Sequence, residues 1–141
     1  MIRSRGSGFN YSKVEIETML LDAKLLLEHG ADGIAFGSLN TDYSIDVETT
    51  HLFVKLAHHY NKEFVFHRAI DCTHDIFASV KVLVNLKVDR VLTSGTYTTA
   101  LEGLKILNKL HQEFGDSIEI LVGGGVNSSN ISLLFFFSFF V

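Results

Sequence analysis

The sequence predicts an α/β protein with a parallel sheet. Short apolar runs alternate with longer amphipathic stretches, and the runs begin at intervals of about 30 residues, the size of a βαβ unit. The inner runs are rich in β-branched and aromatic residues without polar alternation, as in strands covered on both faces. The five predicted strands are Met1–Arg5, Gly33–Gly37, Phe64–Ala69, Arg90–Ser94 and Ile118–Val122.

The first amphipathic stretch is predicted to be a helix that begins at a capping box. In Ser12-Lys13-Val14-Glu15 the Ser12 hydroxyl and the Glu15 carboxylate can each accept from a backbone amide that the helix leaves unpaired. Apolar residues follow at helical spacing, and Gly30 predicts the end of the helix. These apolar residues are Ile16, Met19, Leu20, Ala23, Leu26 and Leu27.

Three further helices are predicted from capping residues. Asp46 can cap the second helix, and the third begins near Asp75. A second capping box, Thr99-Ala100-Leu101-Glu102, predicts the start of the fourth helix, which ends at Gly115. Strands that alternate with helices require right-handed crossovers and a parallel sheet. An open doubly wound sheet and a (β/α)8 barrel both satisfy this order, but no Gly-x-Gly-x-x-Gly motif supports a dinucleotide-binding sheet.

Composition excludes some classes of function. The chain of 141 residues has a net charge of -4 and no basic run, which argues against nucleic acid as a partner. Its one cysteine, Cys72, cannot form an internal disulfide, so we predict a reducing compartment, the cytoplasm or the nucleus.

Residues 131–141 form an atypical tail that contains five of the twelve phenylalanines. A membrane span needs about 20 apolar residues, so we predict that this run does not cross a bilayer. We interpret residues 1–130 as one structural unit and the tail as a non-native ending, such as that of a splice variant. An interfacial anchor is the alternative.

Six sequence blocks, in this order and spacing, resemble the CutC family of copper homeostasis proteins. The resemblance runs from residue 1 to about residue 131. Four positions differ from the family pattern: Ser4 replaces a proline, Ser7 replaces a glycine, Cys72 stands where methionine is usual, and Val122 replaces the proline before the glycine triplet. The blocks are Met-Ile-Arg-Ser-Arg-Gly (1–6), Gly-Ala-Asp-Gly-Ile-Ala-Phe-Gly (30–37), Phe-His-Arg-Ala-Ile-Asp (66–71), Val-Leu-Thr-Ser-Gly (91–95), Ala-Leu-Glu-Gly-Leu (100–104) and Gly-Gly-Gly-Val (123–126).

The resemblance implies a parallel (β/α)8 TIM-type barrel that is incomplete here. The blocks look like the third to seventh strands of the family's barrel, about five β/α units, whereas a complete barrel takes about 250 residues. The resemblance also implies copper ion as the ligand, a cytoplasmic location, and self-association of the full-length family members. The cysteines that the family is associated with for copper lie on early strands, which this chain lacks.

The predicted ends of the strands carry residues suited to binding an anion. In a β/α barrel function lies at the carboxyl ends of the strands, and arginines there can bind anions through forked hydrogen bonds. A glycine triplet followed by a helix start at Asn127 or Ser128 can offer backbone amides to a phosphate. The structural alternatives are arginines paired with Asp71 or Asp32, and a tight glycine turn. The candidates are Arg3, Arg5, Arg68, Thr93, Ser94, Gly123, Gly124 and Gly125.

Two other sites follow from residue type. His67 and Asp71 are candidates for an acid–base pair, because imidazole titrates near neutrality, although such a histidine more often satisfies a polar interior. Cys72 and His74 are candidate ligands for Cu(I), because thiolate and imidazole suit that ion, but a single cysteine completes no closed ligand set.

Three functions therefore stay open. The resemblance implies a cytosolic copper homeostasis factor that binds or buffers copper ion. The arginines and the glycine triplet favour a β/α-barrel enzyme that acts on a small anionic or phosphorylated ligand. The missing strands and the tail favour a non-functional truncated isoform.

Overall fold

The structure, a computed structural model, describes residues 1–135 and contains one parallel sheet. The strands follow one another in the order β1-β2-β3-β4, and each pairs in parallel with the next. The predicted α/β class and parallel pairing are confirmed. The strands are β1 (Gly33–Phe36), β2 (Glu63–Phe66), β3 (Arg90–Thr93) and β4 (Glu119–Val122), and the helices are α1 (Lys13–Glu28), α2 (Val47–His59), α3 (Ile76–Asn85), α4 (Leu104–Phe114) and α5 (Ile131–Phe135), with a 3-10 helix at Arg68–Cys72.

The sheet is wound in one direction. Because consecutive parallel strands are neighbours and right-handed crossovers join them, the connecting helices lie on the same face of the sheet. Phe36 of β1 stacks on Phe53 of α2 with ring centroids 3.8 Å apart, which identifies the face that the helices cover. Phe66, Val91 and Ile120 stand in register with Phe36 on this face, and all are buried. In a doubly wound sheet the spatial order of the strands changes direction at one point along the chain. No such change occurs between β1 and β4.

The opposite, inner face of the sheet carries small apolar residues and an ion-pair row. The row lies at the amino end of the strands, where Arg90 Nε is 3.2 Å from a Glu63 carboxylate oxygen and 2.9 Å from one of Glu119. Within residues 1–135 the helices lie on the other face, so this one is half-exposed. Its apolar side chains are Ala35, Val65, Leu92 and Leu121.

The first predicted strand, Met1–Arg5, is not a strand in the structure. Ile2 is buried beside β1 and donates one backbone hydrogen bond, of 2.8 Å, to Ala35 O. The chain then turns away, because the side chain of Arg3 bonds to Gly6 O and that of Arg5 bonds to Ser7 O and Asn10 O. One backbone bond does not make a ladder, so the described chain contributes four strands and not five.

The capping residues of α1, α2 and α3 are those that the sequence predicted. Ser12 and Glu15 form both halves of the capping box of α1, and Gly30 follows the helix with a φ of 93°. Asp46 accepts from Thr49 N, and Asp75 accepts from the amides of the first turn of α3.

The predicted start of the fourth helix was wrong by several residues. The Thr99–Glu102 capping box does form, with Thr99 N 3.0 Å from Glu102 Oε2. It closes a single isolated turn, since Ala100 N donates to Gly124 O outside any helix. Helix α4 begins only at Leu104, after Gly103.

The end of the chain is only partly described. The predicted helix start at Asn127 corresponds to a turn in which Asn127 Oδ1 accepts from Ser129 N at 2.9 Å, and α5 begins at Ile131. The rest of the phenylalanine-rich tail, residues 136–141, lies outside the described residues. No helix among residues 1–135 combines the length and the apolar character that a membrane span requires.

Candidate functional site

The candidate residues follow the last residues of the strands, at the carboxyl edge of the sheet. His67 follows β2, Ser94 follows β3 and Gly123 follows β4. Because parallel strands end at the same edge, these positions are neighbours in space. This is the edge at which β/α proteins carry their sites.

Asp71 is the centre of a hydrogen-bond network that joins β2 to β3. Its carboxylate lies 2.9 Å from Arg68 Nε and also accepts from the hydroxyl of Thr93. It further accepts from Ser94 N at 3.2 Å and from Thr96 N at 3.1 Å. The side chain of Asp71 is only 8% exposed, and its oxygens already have these donors. We therefore assign Asp71 a positioning role for Arg68 and the β3 loop.

Arg68 is brought against the glycine triplet. Its Nη2 donates to Ser94 Oγ at 2.6 Å and to Tyr97 O at 3.3 Å. A Cβ atom at Gly124 would lie 3.2 Å from Arg68 Nη1, so the glycine lets the backbone approach the guanidinium closely. We call Arg68, Asp71, Thr93, Ser94 and Gly124 the Arg68 cluster. The structure thus brings together four of the predicted anion-binding residues with Asp71.

The glycine loop leaves backbone donors unused. Gly123 N donates to Thr93 O at 2.8 Å and continues the β3–β4 pairing. Gly124 and Gly125 have φ values of 113° and 70°, which glycine adopts without strain. Within residues 1–135 neither amide donates a hydrogen bond, whereas the carbonyl of Gly124 accepts one and that of Gly125 accepts two.

Arg3 and Arg5 lie in a different environment from Arg68. Arg5 Nε is 2.7 Å from Glu15 Oε1, and its guanidinium lies over the ring of Tyr11. Hydrogen bonds from Ser12 and Arg5 lower the pKa of Glu15 to about 2. Arg3 lies over the ring of Phe9 at 4.9 Å. None of the hydrogen bonds or ring contacts of Arg3 and Arg5 within residues 1–135 reaches the Arg68 cluster.

His67 is buried and does not bond to Asp71. Its Nδ1 accepts from Ala69 N at 3.3 Å, and its ring contacts Phe9 with centroids 5.3 Å apart. Burial, with a smaller contribution from the charge of Arg3, lowers the pKa of His67 to about 4. The two residues predicted as an acid–base pair therefore lie in separate hydrogen-bond environments in the described chain.

Cys72 and His74 open onto neighbouring cavities. Both are exposed; Cys72 lines a cavity of about 440 Å³, and His74 lines one of about 580 Å³. Tyr43 lines both cavities, and its ring contacts that of His74 edge-on at 5.7 Å. In the described part of the chain no three His, Cys, Asp or Glu residues are grouped as a metal site would require. Cys72 and His74 therefore do not complete a closed metal site with three or four protein ligands in the described chain.

Two residues of this edge were missed by sequence reasoning. Tyr11 is 8% exposed and packs on Phe36, but nothing in its local sequence marks it. Burial raises the pKa of its phenol, against the opposing charges of Arg3 and Arg5. Gly37 lies against His67, and a Cβ atom there would be 2.5 Å from His67 Nδ1. A glycine at the end of a predicted strand was a signal of such a close approach.

The fold and the site define a parallel β/α protein with its polar residues at the carboxyl edge of a singly wound sheet. Comparison with known families makes this more specific. The profile of the CutC family matches residues 1–137, and the chain belongs to this family.

Relatives and a solved structure agree with this membership. The chain is 44% identical over 132 residues to a CutC family protein of Treponema denticola, covering 94% of this chain and 53% of that protein. It is 40% identical over 131 residues to the human copper homeostasis protein cutC homolog, covering 93% and 47%. The CutC structure from Streptococcus agalactiae superposes with a TM-score of 0.89 at 29% identity, covering 97% of this chain and 66% of that one. The chain thus spans about half the length of the curated relatives that it matches.

Proposed function

We propose that this chain acts in copper homeostasis, with copper ion as its cargo, in the cytoplasm. The observation that supports the proposal is the match to the human protein of that name over 93% of this chain. In this proposal the four-stranded sheet is a segment of a (β/α)8 barrel, since its winding and its likeness to the S. agalactiae structure fit that architecture.

The exposed thiol of Cys72 is the residue best suited to bind the cargo. Thiolate is a soft ligand that Cu(I) prefers, and imidazole is also acceptable. Tyr43 shares one cavity with Cys72 and the other with His74, and no third donor groups with them in the described chain. We therefore propose an open site of low coordination, suited to transfer or buffering of copper and not to permanent retention.

A titration with Cu(I) tests this proposal. Cu(I) held by a colorimetric chelator is added to the chain and to the variants Cys72→Ser, His74→Asn and His51→Asn. We expect Cys72→Ser to lower the affinity at least about tenfold, because it removes the only thiolate. His51, an exposed histidine of α2, is the matched control for His74 and should leave the affinity unchanged. Equal affinities of the wild type and Cys72→Ser would refute copper binding at this thiol.

A second candidate function is favoured by the Arg68 cluster. Here Gly124 meets the guanidinium of Arg68, and the amides of Gly124 and Gly125 are unused. Backbone amides and an arginine together suit a phosphate or carboxylate, so the cluster supports the binding of a small anionic or phosphorylated ligand, as in a β/α-barrel enzyme.

Calorimetric titration with inorganic phosphate tests the second candidate. Gly124→Ala would place a methyl group against Arg68 at a φ of 113°, and we expect it to weaken phosphate binding at least about tenfold. Gly6→Ala is the control, because a Cβ atom there meets nothing within 4 Å. Circular dichroism checks that both variants are folded. Identical binding by the two variants would contradict an anion site at the Arg68 cluster.

A further inference from the structure

Several buried polar atoms of this protein have no hydrogen-bond partner. Within residues 1–135 four buried side-chain nitrogen or oxygen atoms lack a hydrogen-bond partner: Arg3 Nε, Tyr11 Oη, Thr50 Oγ1 and His67 Nε2. Leaving such a group unpaired costs about 1–3 kcal/mol. His67 is 4% exposed and Tyr11 is 8% exposed, so water reaches neither side chain freely. Unpaired groups of this kind require an explanation.

Three of the four are brought together by two phenylalanine rings. Arg3 lies over the Phe9 ring at 4.9 Å, and the same ring lies 5.3 Å from that of His67. The Phe36 ring lies 5.9 Å from Tyr11 and 6.4 Å from His67. The charge of Arg3 acts to lower the pKa of both His67 and Tyr11, in keeping with these ring contacts. Thr50 belongs to α2 and shares none of these contacts.

The three unpaired atoms are all hydrogen-bond donors. The Nε of Arg3 carries a hydrogen at any ordinary pH. His67 Nδ1 accepts a hydrogen bond from Ala69 N, so in the neutral imidazole the proton is on Nε2. Tyr11 Oη can donate its hydroxyl hydrogen. A protonated Nε2 offers no lone pair to a metal ion, and several unused donors beside one arginine suit a group rich in acceptor oxygens.

We infer that Arg3, Tyr11 and His67 form a binding site for a small oxyanion, a carboxylate or a phosphate. Phe9 covers this site: its ring contacts Arg3 and His67, and it also lines the cavity of about 440 Å³ that opens to solvent. Displacement of the Phe9 ring would connect that cavity to the three donors. The three donors are distinct from the Arg68 cluster and from Cys72 and His74, although Cys72 lines the same cavity as Phe9.

The test is an NMR titration of the full chain with histidine labelled by ¹⁵N. Sodium phosphate and sodium acetate are added separately, with sodium chloride at matched ionic strength as the reference, and the Nε2 signal of His67 is followed. We expect a saturable shift with phosphate, with acetate, or with both. Binding of phosphate alone would assign a phosphorylated ligand, and binding of acetate alone would assign a carboxylate.

A pair of variants makes the test specific. Tyr11→Phe and Thr50→Val each remove one buried hydroxyl, and neither hydroxyl donates a hydrogen bond within residues 1–135. We expect Tyr11→Phe to weaken anion binding about three- to tenfold, the equivalent of one neutral hydrogen bond, and Thr50→Val to leave it unchanged. Thermal unfolding confirms that both variants are folded.

Three results would overturn the inference. The first is the absence of a saturable shift at His67 with either anion. The second is equal affinity of Tyr11→Phe and Thr50→Val. The third is phosphate binding that survives Tyr11→Phe and is lost in Gly124→Ala, which would place the anion at the Arg68 cluster and support the second candidate function.

Discussion

His67 shows how the environment of one residue can reverse the role that its type suggests. A histidine after a strand was predicted as one half of an acid–base pair with Asp71. Burial instead keeps the imidazole neutral, with a pKa of about 4, and the Asp71 carboxylate is occupied by other donors. We therefore expect the imidazole of His67 to be neutral at pH 7, with the hydrogen of its Nε2 free to donate.

The depressed pKa of His67 predicts a loss of stability in mild acid. The pKa is about 6.5 in the unfolded chain and about 4 in the folded chain, so the unfolded state binds the proton more tightly. Above pH 6.5 His67 is neutral in both states, and its protonation does not reduce the stability of the fold. As the pH falls from 6.5 towards 4, the unfolded state gains stability from binding the proton and the folded state does not. We expect the free energy of unfolding to drop by about 2–3 kcal/mol from this residue between pH 7 and pH 4.5, measured by urea denaturation.

The variant His67→Gln is the control for the pH prediction. Glutamine does not titrate, whereas carboxylates such as Glu15 titrate in both proteins. The wild type should therefore lose about 2–3 kcal/mol more than His67→Gln over the same pH interval. Parallel losses in the two proteins would show that His67 does not resist protonation.

At the scale of single residues, the sequence predicted the members of the Arg68 cluster but not their connections. Residue type and position after a strand were enough to select Arg68 and Ser94. Arg5 was grouped with them on the same grounds, yet it bonds to Glu15 at 2.7 Å because the first segment turns towards α1. Tyr11 gave no signal, because its burial depends on contacts with β1 that are distant in sequence.

The start of α4 rests directly on the end of β3. A Cβ atom at Gly103 would lie 1.8 Å from Ser94 O, a backbone atom that cannot move without the strand. Gly95, on the other side of this contact, would place a Cβ atom 2.7 Å from Gly103 O. Two glycines thus set the distance between helix and strand, and through it the position of Ser94 in the Arg68 cluster.

This contact predicts a severe effect of Gly103→Ala. The added methyl group must push the α4 turn away from β3, and we expect a loss of about 3 kcal/mol or more in the free energy of unfolding. Chemical denaturation measures it. Gly6→Ala, at a glycine with open space around it, should change stability by less than about 0.5 kcal/mol. A mild effect of Gly103→Ala would mean that the helix does not lie this close to the strand.

At the scale of elements, the sequence predicted the starts of those helices whose capping hydrogen bonds join residues close together in the chain. Three helices begin at the predicted caps because each cap bonds to amides within a few residues. The fourth prediction failed because the Thr99–Glu102 box closes only one turn, and α4 begins after Gly103, whose backbone lies against Ser94 O. The Met1–Arg5 segment has the composition of a strand but makes only one backbone bond to β1. Its side-chain bonds to nearby carbonyls decide its path.

For the molecule as a whole, the sequence predicted the class and the parallel pairing of the sheet but left the winding open. In the described chain the four strands follow in sequence, so the sheet shows no reversal of the doubly wound kind between β1 and β4, and the barrel stays a proposal. The inner face remains half-exposed, with Arg90 paired to Glu63 and Glu119 and with a few small apolar residues beside it.

The saturated carboxylate of Asp71 has a consequence for any ligand that reaches Gly124. Arg68 is tied to β2, to the β3 loop and to Asp71 before that ligand arrives. A long side chain usually loses about 0.5–1.5 kcal/mol of rotamer freedom when it is immobilised at an interface. In this protein folding has already removed that freedom, so an incoming anion meets a preorganised guanidinium and keeps more of its binding energy as affinity.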